Sequence, residues 1–199
     1  MANRGKTTLW AKAATIALGL MAGLISGWWA ITGGMGGQNY SGWYGSSVTG
    51  SQDADPWLRA RVAVAGLLAL NKSQAIYFTR KTDDAGEPLR EDCRYRVTGG
   101  ALPGQWWSVT VYASDNYLPL NDDDALSFDA TEVKPNAAGQ WTAVLAPVRP
   151  ADGEAWASTR KAGKFDITLR IYQPNAQAQG NYASIPMPRV TKLDCGGKA

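Results

Sequence analysis

The chain has 199 residues, a formal net charge of +3 and a mean hydropathy of −0.26. It contains no histidine, which excludes a Ser-His-Asp arrangement and nearly all histidine-based zinc and copper sites. The excess positive charge comes from Arg4, Lys6 and Lys12 alone. After them 17 basic and 17 acidic residues remain, so no basic patch for nucleic acid is indicated.

The first predicted element is a transmembrane helix over residues 13–32, which follows a basic cytoplasmic N-terminus of residues 1–12. The helix segment carries no charged residue, and ~20 residues at ~1.5 Å rise cross a hydrocarbon core of roughly 30 Å. Basic residues before the helix predict a cytoplasmic N-terminus and an exported C-terminal part. Trp28 and Trp29 lie near its outer end, as aromatic residues do at a membrane interface.

We therefore expect a single-pass protein of the bacterial inner membrane with its domain in the periplasm. Membrane lipid would contact the protein through this helix. A cleaved signal peptide is the alternative interpretation. Against it, the apolar run is longer than the usual signal core and no A-x-A cleavage site follows.

A glycine-rich segment follows over residues 33–53. Seven glycines among residues 33–50 make a helix or a regular strand costly, which predicts a flexible tether. Tyr40, Trp43 and Tyr44 would then rest on lipid headgroups or on a partner.

A short amphipathic helix is predicted to open the periplasmic domain, which covers residues 54–199. Asp55 suits the N-cap and Pro56 the first helical position. The helix should end near Asn71. Apolar residues follow its start at helical spacing, and these are Leu58, Val62, Ala65 and Leu68. We expect this apolar stripe to face the core, with contact to a membrane surface as the alternative.

The rest of the domain has the pattern of short strands separated by turn residues. Apolar and polar residues alternate most clearly over residues 165–172, where the four residues from Phe165 to Ile171 in steps of two face one way. Such a series indicates a mainly β fold, an antiparallel β-sandwich. The predicted strands cover residues 75–79, 93–97, 106–112, 140–145, 165–172 and 185–190.

Several short motifs carry a resemblance to a known family. In chain order they are AIYF (75–78), a turn with Asp83, Gly86 and Leu89, CRYRV (93–97), WWSVTVY (106–112), LRIYQP (169–174) and IPMPRV (185–190). Their order and spacing over residues 55–195 resemble the bacterial family called domain of unknown function 1214. The resemblance implies a β-sandwich of jelly-roll type, often behind a membrane segment, and implies no activity. Where the family has an Asn-Trp-Leu-Pro-like stretch, this chain keeps only Trp156.

Cys93 and Cys195 bracket the predicted sandwich and have neither metal-site nor CxxC spacing. Export from the cytoplasm favours oxidation, so we expect a structural disulfide, with two unrelated thiols as the alternative. The acidic loop of residues 122–124 lacks the EF-hand pattern and is interpreted as solvated. We expect no metal and no cofactor.

Two strands offer candidate binding residues on their polar faces. If residues 106–112 and 165–172 are neighbours in one sheet, aromatic and hydrogen-bonding groups form a patch of the kind that sugar-binding surfaces use. The alternative is a solvated face on which Arg170 and Asp166 form a weak surface pair. Among the tryptophans, Trp57, Trp107 and Trp141 are expected in the core, whereas Trp43, Trp106 and Trp156 are suspected of binding. The candidate site residues are Arg170, Tyr172, Trp106, Tyr112, Trp156 and Asp166.

These observations favour a non-catalytic, membrane-anchored periplasmic binding or accessory protein. It would hold an envelope component, such as a glycan, or a larger membrane-protein complex. The alternative function is a carboxylate-dependent envelope enzyme that acts on carbohydrate, because glycoside hydrolysis needs two carboxylates and no histidine. No catalytic residue is assigned.

Overall fold

The computed structural model of the chain describes residues 4–32, 37–64 and 70–196. A long N-terminal helix, α1 (Arg4–Thr32), precedes a domain of two β-sheets with the helices α2 (Pro56–Val64) and α3 (Ala176–Gly180). The strands are β1 (Gln38–Tyr40), β2 (Trp43–Gly45), β3 (Ala75–Arg80), β4 (Cys93–Gly99), β5 (Trp106–Ala113), β6 (Ser127–Asp129), β7 (Trp141–Ala146), β8 (Ala155–Ser158), β9 (Phe165–Tyr172) and β10 (Arg189–Cys195).

The strands form a six-stranded sheet in the order β1-β2-β3-β9-β5-β6 and a four-stranded sheet in the order β10-β4-β7-β8. The predicted mainly β, sandwich-like fold is confirmed. Within the described strands all pairs are antiparallel except β7 and β8, which run parallel. The jelly-roll connectivity that the resemblance implies stays a prediction.

The core lies between the two sheets and follows the predicted alternation. The inward residues of β9 are buried, as expected, and Ile167, Leu169 and Ile171 each lie between buried residues of β5 and β3. Trp107 and Trp141 stack with ring centroids 4.5 Å apart, which confirms that both are core residues. The four inward residues of β9 are Phe165, Ile167, Leu169 and Ile171.

The predicted disulfide is confirmed. Cys93 begins β4 and Cys195 ends β10, and the antiparallel register places the two residues directly opposite each other. The last strand lies further along the chain than the predicted residues 185–190. Pro186 and Pro188 lack the backbone N–H that a strand ladder needs, so the strand begins only at Arg189.

The glycine-rich segment corrects the prediction of a flexible tether. β1 and β2 form a hairpin, and β2 extends the six-stranded sheet by pairing with β3. Trp43 is fully buried in the main core, so its suspected binding role is wrong. A Cβ atom at Gly45 would lie 2.5 Å from the Phe78 ring, so the absence of a side chain permits this close approach. Residues 33–36 of the predicted tether lie outside the described residues.

Helix α1 contains the segment Thr8–Ala30, which is long and apolar enough to cross a membrane. The side chains of Trp28 and Trp29 are exposed near its end, and their role at a membrane interface stays a prediction.

Helix α2 begins as predicted, because the Asp55 carboxylate accepts hydrogen bonds from the backbone N–H groups of Trp57 and Leu58. It packs against α1, and Leu58 is buried. Trp57 is 47% exposed and approaches Gly27 of α1, so its expected core position is wrong. Ala65 and Leu68 of the predicted apolar stripe lie outside the described residues.

Candidate functional site

Strands β5 and β9 are neighbours, so the predicted patch of polar and aromatic groups is formed. Their inward residues fill the core, and period-two alternation turns the intervening residues outward. The register pairs Tyr112 with Asp166 and Trp106 with Tyr172. We call the outward residues Trp106, Thr110, Tyr112, Asp166, Arg170 and Tyr172 the β5–β9 face.

Arg170 lies at the centre of this face. Its Nη1 atom donates to Thr110 Oγ1 at 3.0 Å, and its Nη2 atom donates to the Tyr112 hydroxyl at 2.5 Å. The guanidinium carbon lies 5.5 Å from the centroid of the Tyr112 ring. Both hydrogen-bond partners are neutral, so the guanidinium is held in place without being neutralised.

The alternative of a weak Arg170–Asp166 pair is wrong. They lie four positions apart on one strand, which puts their Cα atoms about 13 Å apart at ~3.3 Å per residue. Across the described part of the chain, no carboxylate lies within ion-pair distance of Arg170. Its positive charge is therefore available to a bound group.

Asp166 lies opposite Tyr112 and is only 8% exposed. Burial raises the pKa of its carboxyl to about 6, and the nearby charge of Lys81 opposes this shift. None of the hydrogen bonds found within residues 70–196 reaches this carboxylate. The face therefore carries one group that changes charge close to neutral pH.

An aromatic pair forms one end of the face. Trp106 and Tyr172 lie with ring centroids 5.0 Å apart and planes tilted by 47°, and both are partly exposed. On the other side of Arg170, Tyr77 of β3 is buried, and its hydroxyl accepts a hydrogen bond from the backbone N–H of Leu70. The segment before β3 thus bounds the face on this side.

A second carboxylate on the same side of the sheet is distant from Asp166. Asp129 of β6 lies opposite Ser108, two strands and four residues away. With strands ~4.8 Å apart, the two Cα atoms are separated by about 16 Å. The Asp129 carboxylate already accepts hydrogen bonds from the backbone and hydroxyl of Thr131. These two carboxylates do not form the close pair that glycoside hydrolysis needs.

Trp156 does not join this face, although it was predicted in the same set. It lies on β8 in the other sheet, where its indole packs beside Val144 and donates to the Ala146 carbonyl at 2.9 Å. The guanidinium of Arg149 covers the ring, 5.2 Å from its centroid.

A cavity of 460 Å³ lies beside Trp156, and sequence reasoning missed most of the residues around it. Arg160 binds Asp122 and Asp123, so the acidic loop is engaged in ion pairs rather than simply solvated. No local signal indicates these pairs, because about 37 residues separate the partners. The cavity is lined by Asp123, Pro147, Val148, Arg149, Trp156 and Arg160.

Comparison with a solved structure shows a shared fold. The VPA0106 protein from Vibrio parahaemolyticus aligns with a TM-score of 0.57 at 22% identity, over 71% of this chain and 36% of that one. An uncharacterised protein from Burkholderia cenocepacia aligns with a TM-score of 0.40 at 15% identity, over 63% of this chain and 31% of that one. This chain therefore spans about a third of the length of either protein.

No curated protein matches the chain. The family described as "Protein of unknown function (DUF1214)" matches residues 74–176, which include β3, β4, β5 and β9. The match covers just over half of the 199 residues. The chain therefore belongs to the DUF1214 family of proteins of unknown function.

Proposed function

We propose that this chain is a non-catalytic, membrane-anchored binding or accessory protein. Its periplasmic domain holds an envelope component, or a subunit of a membrane complex, on the β5–β9 face. One observation carries this proposal. The guanidinium of Arg170 lies at the centre of the face, its hydrogen-bond partners are neutral, and no carboxylate among the described residues pairs with it.

An arginine held in this way favours a ligand with carboxylate, phosphate or carbonyl oxygens. Its orientation is fixed by Thr110 and Tyr112 before the ligand arrives, so less side-chain entropy is lost on binding. Trp106 and Tyr172 add rigid apolar surface beside the charge. Aromatic groups around an arginine are typical of the residues that contribute most at binding surfaces.

Carbohydrate hydrolysis receives less support than binding. Asp166 has the raised pKa of a general acid. The Cα atom of Asp129, on the same side of the sheet, lies about 16 Å from that of Asp166, too far for two aspartate side chains to bring their carboxyl groups to either hydrolytic separation.

A periplasmic location is supported by two independent features. The basic residues lie before the apolar helix, which favours a cytoplasmic N-terminus. The disulfide between Cys93 and Cys195 suits an oxidising compartment. A fusion of alkaline phosphatase after residue 199 tests this topology, because that enzyme is active only outside the cytoplasm. We expect an active fusion, and an inactive but fully expressed fusion would contradict the location.

Binding is tested by purifying the full-length protein from its native membranes in mild detergent and identifying bound proteins, lipids and glycans by mass spectrometry. We expect one stoichiometric component with the wild type, and its loss with Arg170→Ala. Arg94→Ala is the matched control, because Arg94 is an exposed arginine paired with Asp194 on another strand pair. Recovery of the protein alone, or equal retention by Arg170→Ala, would contradict the proposal.

A further inference from the structure

The cavity beside Trp156 is a second site, separate from the β5–β9 face. It opens on the outer side of the four-stranded sheet, where Trp156 and Val144 lie on β8 and β7. Its volume of 460 Å³ falls within the ~300–1,000 Å³ of small-ligand sites.

One residue that lines the cavity, Arg160, is a cation held in a fixed orientation. Arg160 donates to Asp123 from Nε at 2.9 Å and from Nη2 at 2.7 Å, and it also binds Asp122. Ser158 donates to Asp123 at 2.6 Å, and Asn121 donates to the Arg160 carbonyl at 2.7 Å. Hydrogen bonds from Arg160 and Ser158 lower the pKa of Asp123, so this carboxylate stays charged near neutral pH.

This network uses only one edge of the Arg160 guanidinium. Every side-chain hydrogen bond that Arg160 makes to the described residues comes from Nε or Nη2. Nη1 therefore keeps its donors for a ligand, in an orientation that the two carboxylates fix.

The second cation of the lining is Arg149. Arg149 is exposed and lies over the Trp156 ring, and in the described chain no carboxylate forms an ion pair with it. Asp122 and Asp123 balance the charge of Arg160, so Arg149 is the lining cation whose charge is left without a described carboxylate partner. An anionic ligand is therefore favoured over a neutral or cationic one.

The remaining lining residues favour a ring with one apolar face. Trp156 places its indole in the lining beneath the Arg149 guanidinium, and Pro147 and Val148 add apolar surface. Asp123 and Nη1 of Arg160 offer an acceptor and a donor for hydroxyl groups. A small anion without a ring would contact the two arginines, but it would neither stack on the Trp156 indole nor fill the cavity.

We propose that this cavity binds a saccharide that carries a carboxylate. Arg149 pairs with the carboxylate and swings away from the Trp156 ring that it covers, in a residue that is 9% exposed as a whole. The C–H face of the sugar ring then stacks on the exposed indole, and hydroxyl groups contact Arg160 and Asp123. The inference does not rest on the function proposed for the β5–β9 face.

Isothermal titration calorimetry on the full chain in detergent tests the site with three probes: glucuronate, glucose and acetate. Glucuronate combines ring and charge, glucose lacks the charge, and acetate lacks the ring. We expect glucuronate to bind at least about tenfold more tightly than either of the others. Equal affinity for glucose, equal affinity for acetate, or no binding of glucuronate would each overturn the proposal.

Variants locate the binding. Arg149→Ala should weaken glucuronate binding by about tenfold or more, and Arg149→Lys by less, because lysine keeps the charge but loses the planar fork. Arg149 is exposed, so these changes should leave the thermal midpoint unchanged, which the same samples can show. Arg59→Ala is the matched control and should leave glucuronate binding intact, because Arg59 is an exposed arginine of α2 that donates to the Ala54 and Gln52 carbonyls. Unchanged affinity in Arg149→Ala would overturn the proposal.

Discussion

The indole nitrogen of Trp43 donates a hydrogen bond of 2.7 Å to the backbone carbonyl of Pro188, 145 residues further along the chain. Arg80 donates to the same carbonyl at 3.4 Å and also to the carbonyl of Ser41 in the hairpin turn. The hairpin that follows α1 is thereby fixed to β3 and to the segment before β10. The six Cα-to-Cα steps from Thr32 to Gln38 span at most about 20 Å, so the edge of the sheet stays close to the end of α1.

Removing the Trp43 side chain should destabilise the domain strongly. Trp43→Ala leaves a large cavity in the core and removes the donor to Pro188, so we expect a loss of about 3–5 kcal/mol. Tyr44→Ala is the control, because the neighbouring Tyr44 is exposed. Thermal unfolding of the full chain in detergent measures both changes. Equal midpoints for the two variants would show that the hairpin is not part of the cooperative unit.

Adding a single methyl group at Gly45 should also destabilise the domain, by less than Trp43→Ala does. The new Cβ atom would meet the Phe78 ring at 2.5 Å and the Tyr77 carbonyl at 2.9 Å, and the backbone atom cannot move aside cheaply. We expect Gly45→Ala to cost about 1–3 kcal/mol. Gly100→Ala places the same methyl group in open space and should stay within about 0.5 kcal/mol of the wild type. Denaturant titration of both variants distinguishes these outcomes, and a tolerated Gly45→Ala would contradict the close packing of β2 on β3.

The charge of Asp166 should make stability fall as the pH rises. Burial raises the pKa of its carboxyl from 3.8 to about 6, so between these values the folded state binds a proton that the unfolded state has lost. Stability from this group is therefore fully present below about pH 4 and is lost as the pH rises through about 6, by up to about 3 kcal/mol.

Asp166→Asn tests this dependence, because asparagine keeps the shape and removes the charge. Relative to the wild type, the variant should gain stability between about pH 4 and about pH 7.5. Unfolding curves at both pH values give this difference. Asp152→Asn, on an exposed loop, is the control. A constant difference between Asp166→Asn and wild type would mean that the carboxyl is not desolvated.

Reduction of the disulfide should lower the thermal midpoint. The bond joins residues 102 positions apart, and the chain-entropy model gives a stabilisation of about 4–5 kcal/mol for a loop of this size. For a chain of this length the midpoint should fall by about 10 °C or more. Calorimetry with and without reductant measures the shift, and the double variant Cys93→Ser, Cys195→Ser shows any effect of reductant alone. Two free thiols in protein exported to the periplasm would contradict the pairing.

Period-two alternation allowed the central strands to be predicted. β9 has the predicted bounds. Its polar face lies beside that of β5 on the same side of the sheet, because the apolar residues of the opposite face specify the register. The hairpin at Trp43 was missed because glycines that indicate flexibility also permit close packing, as at Gly45. The cavity beside Trp156 was missed because tertiary contacts alone bring Arg160 to Asp123.

The proposed function requires that the β5–β9 face holds another molecule. Photo-cross-linking in living cells tests it most directly, with a photoreactive amino acid placed at Tyr172 on the face or at Thr142, an exposed position on β7 of the other sheet. We expect a discrete adduct from position 172 that disappears in the Arg170→Ala background, and none from position 142. No adduct from position 172, or the same adduct from both positions, would contradict it.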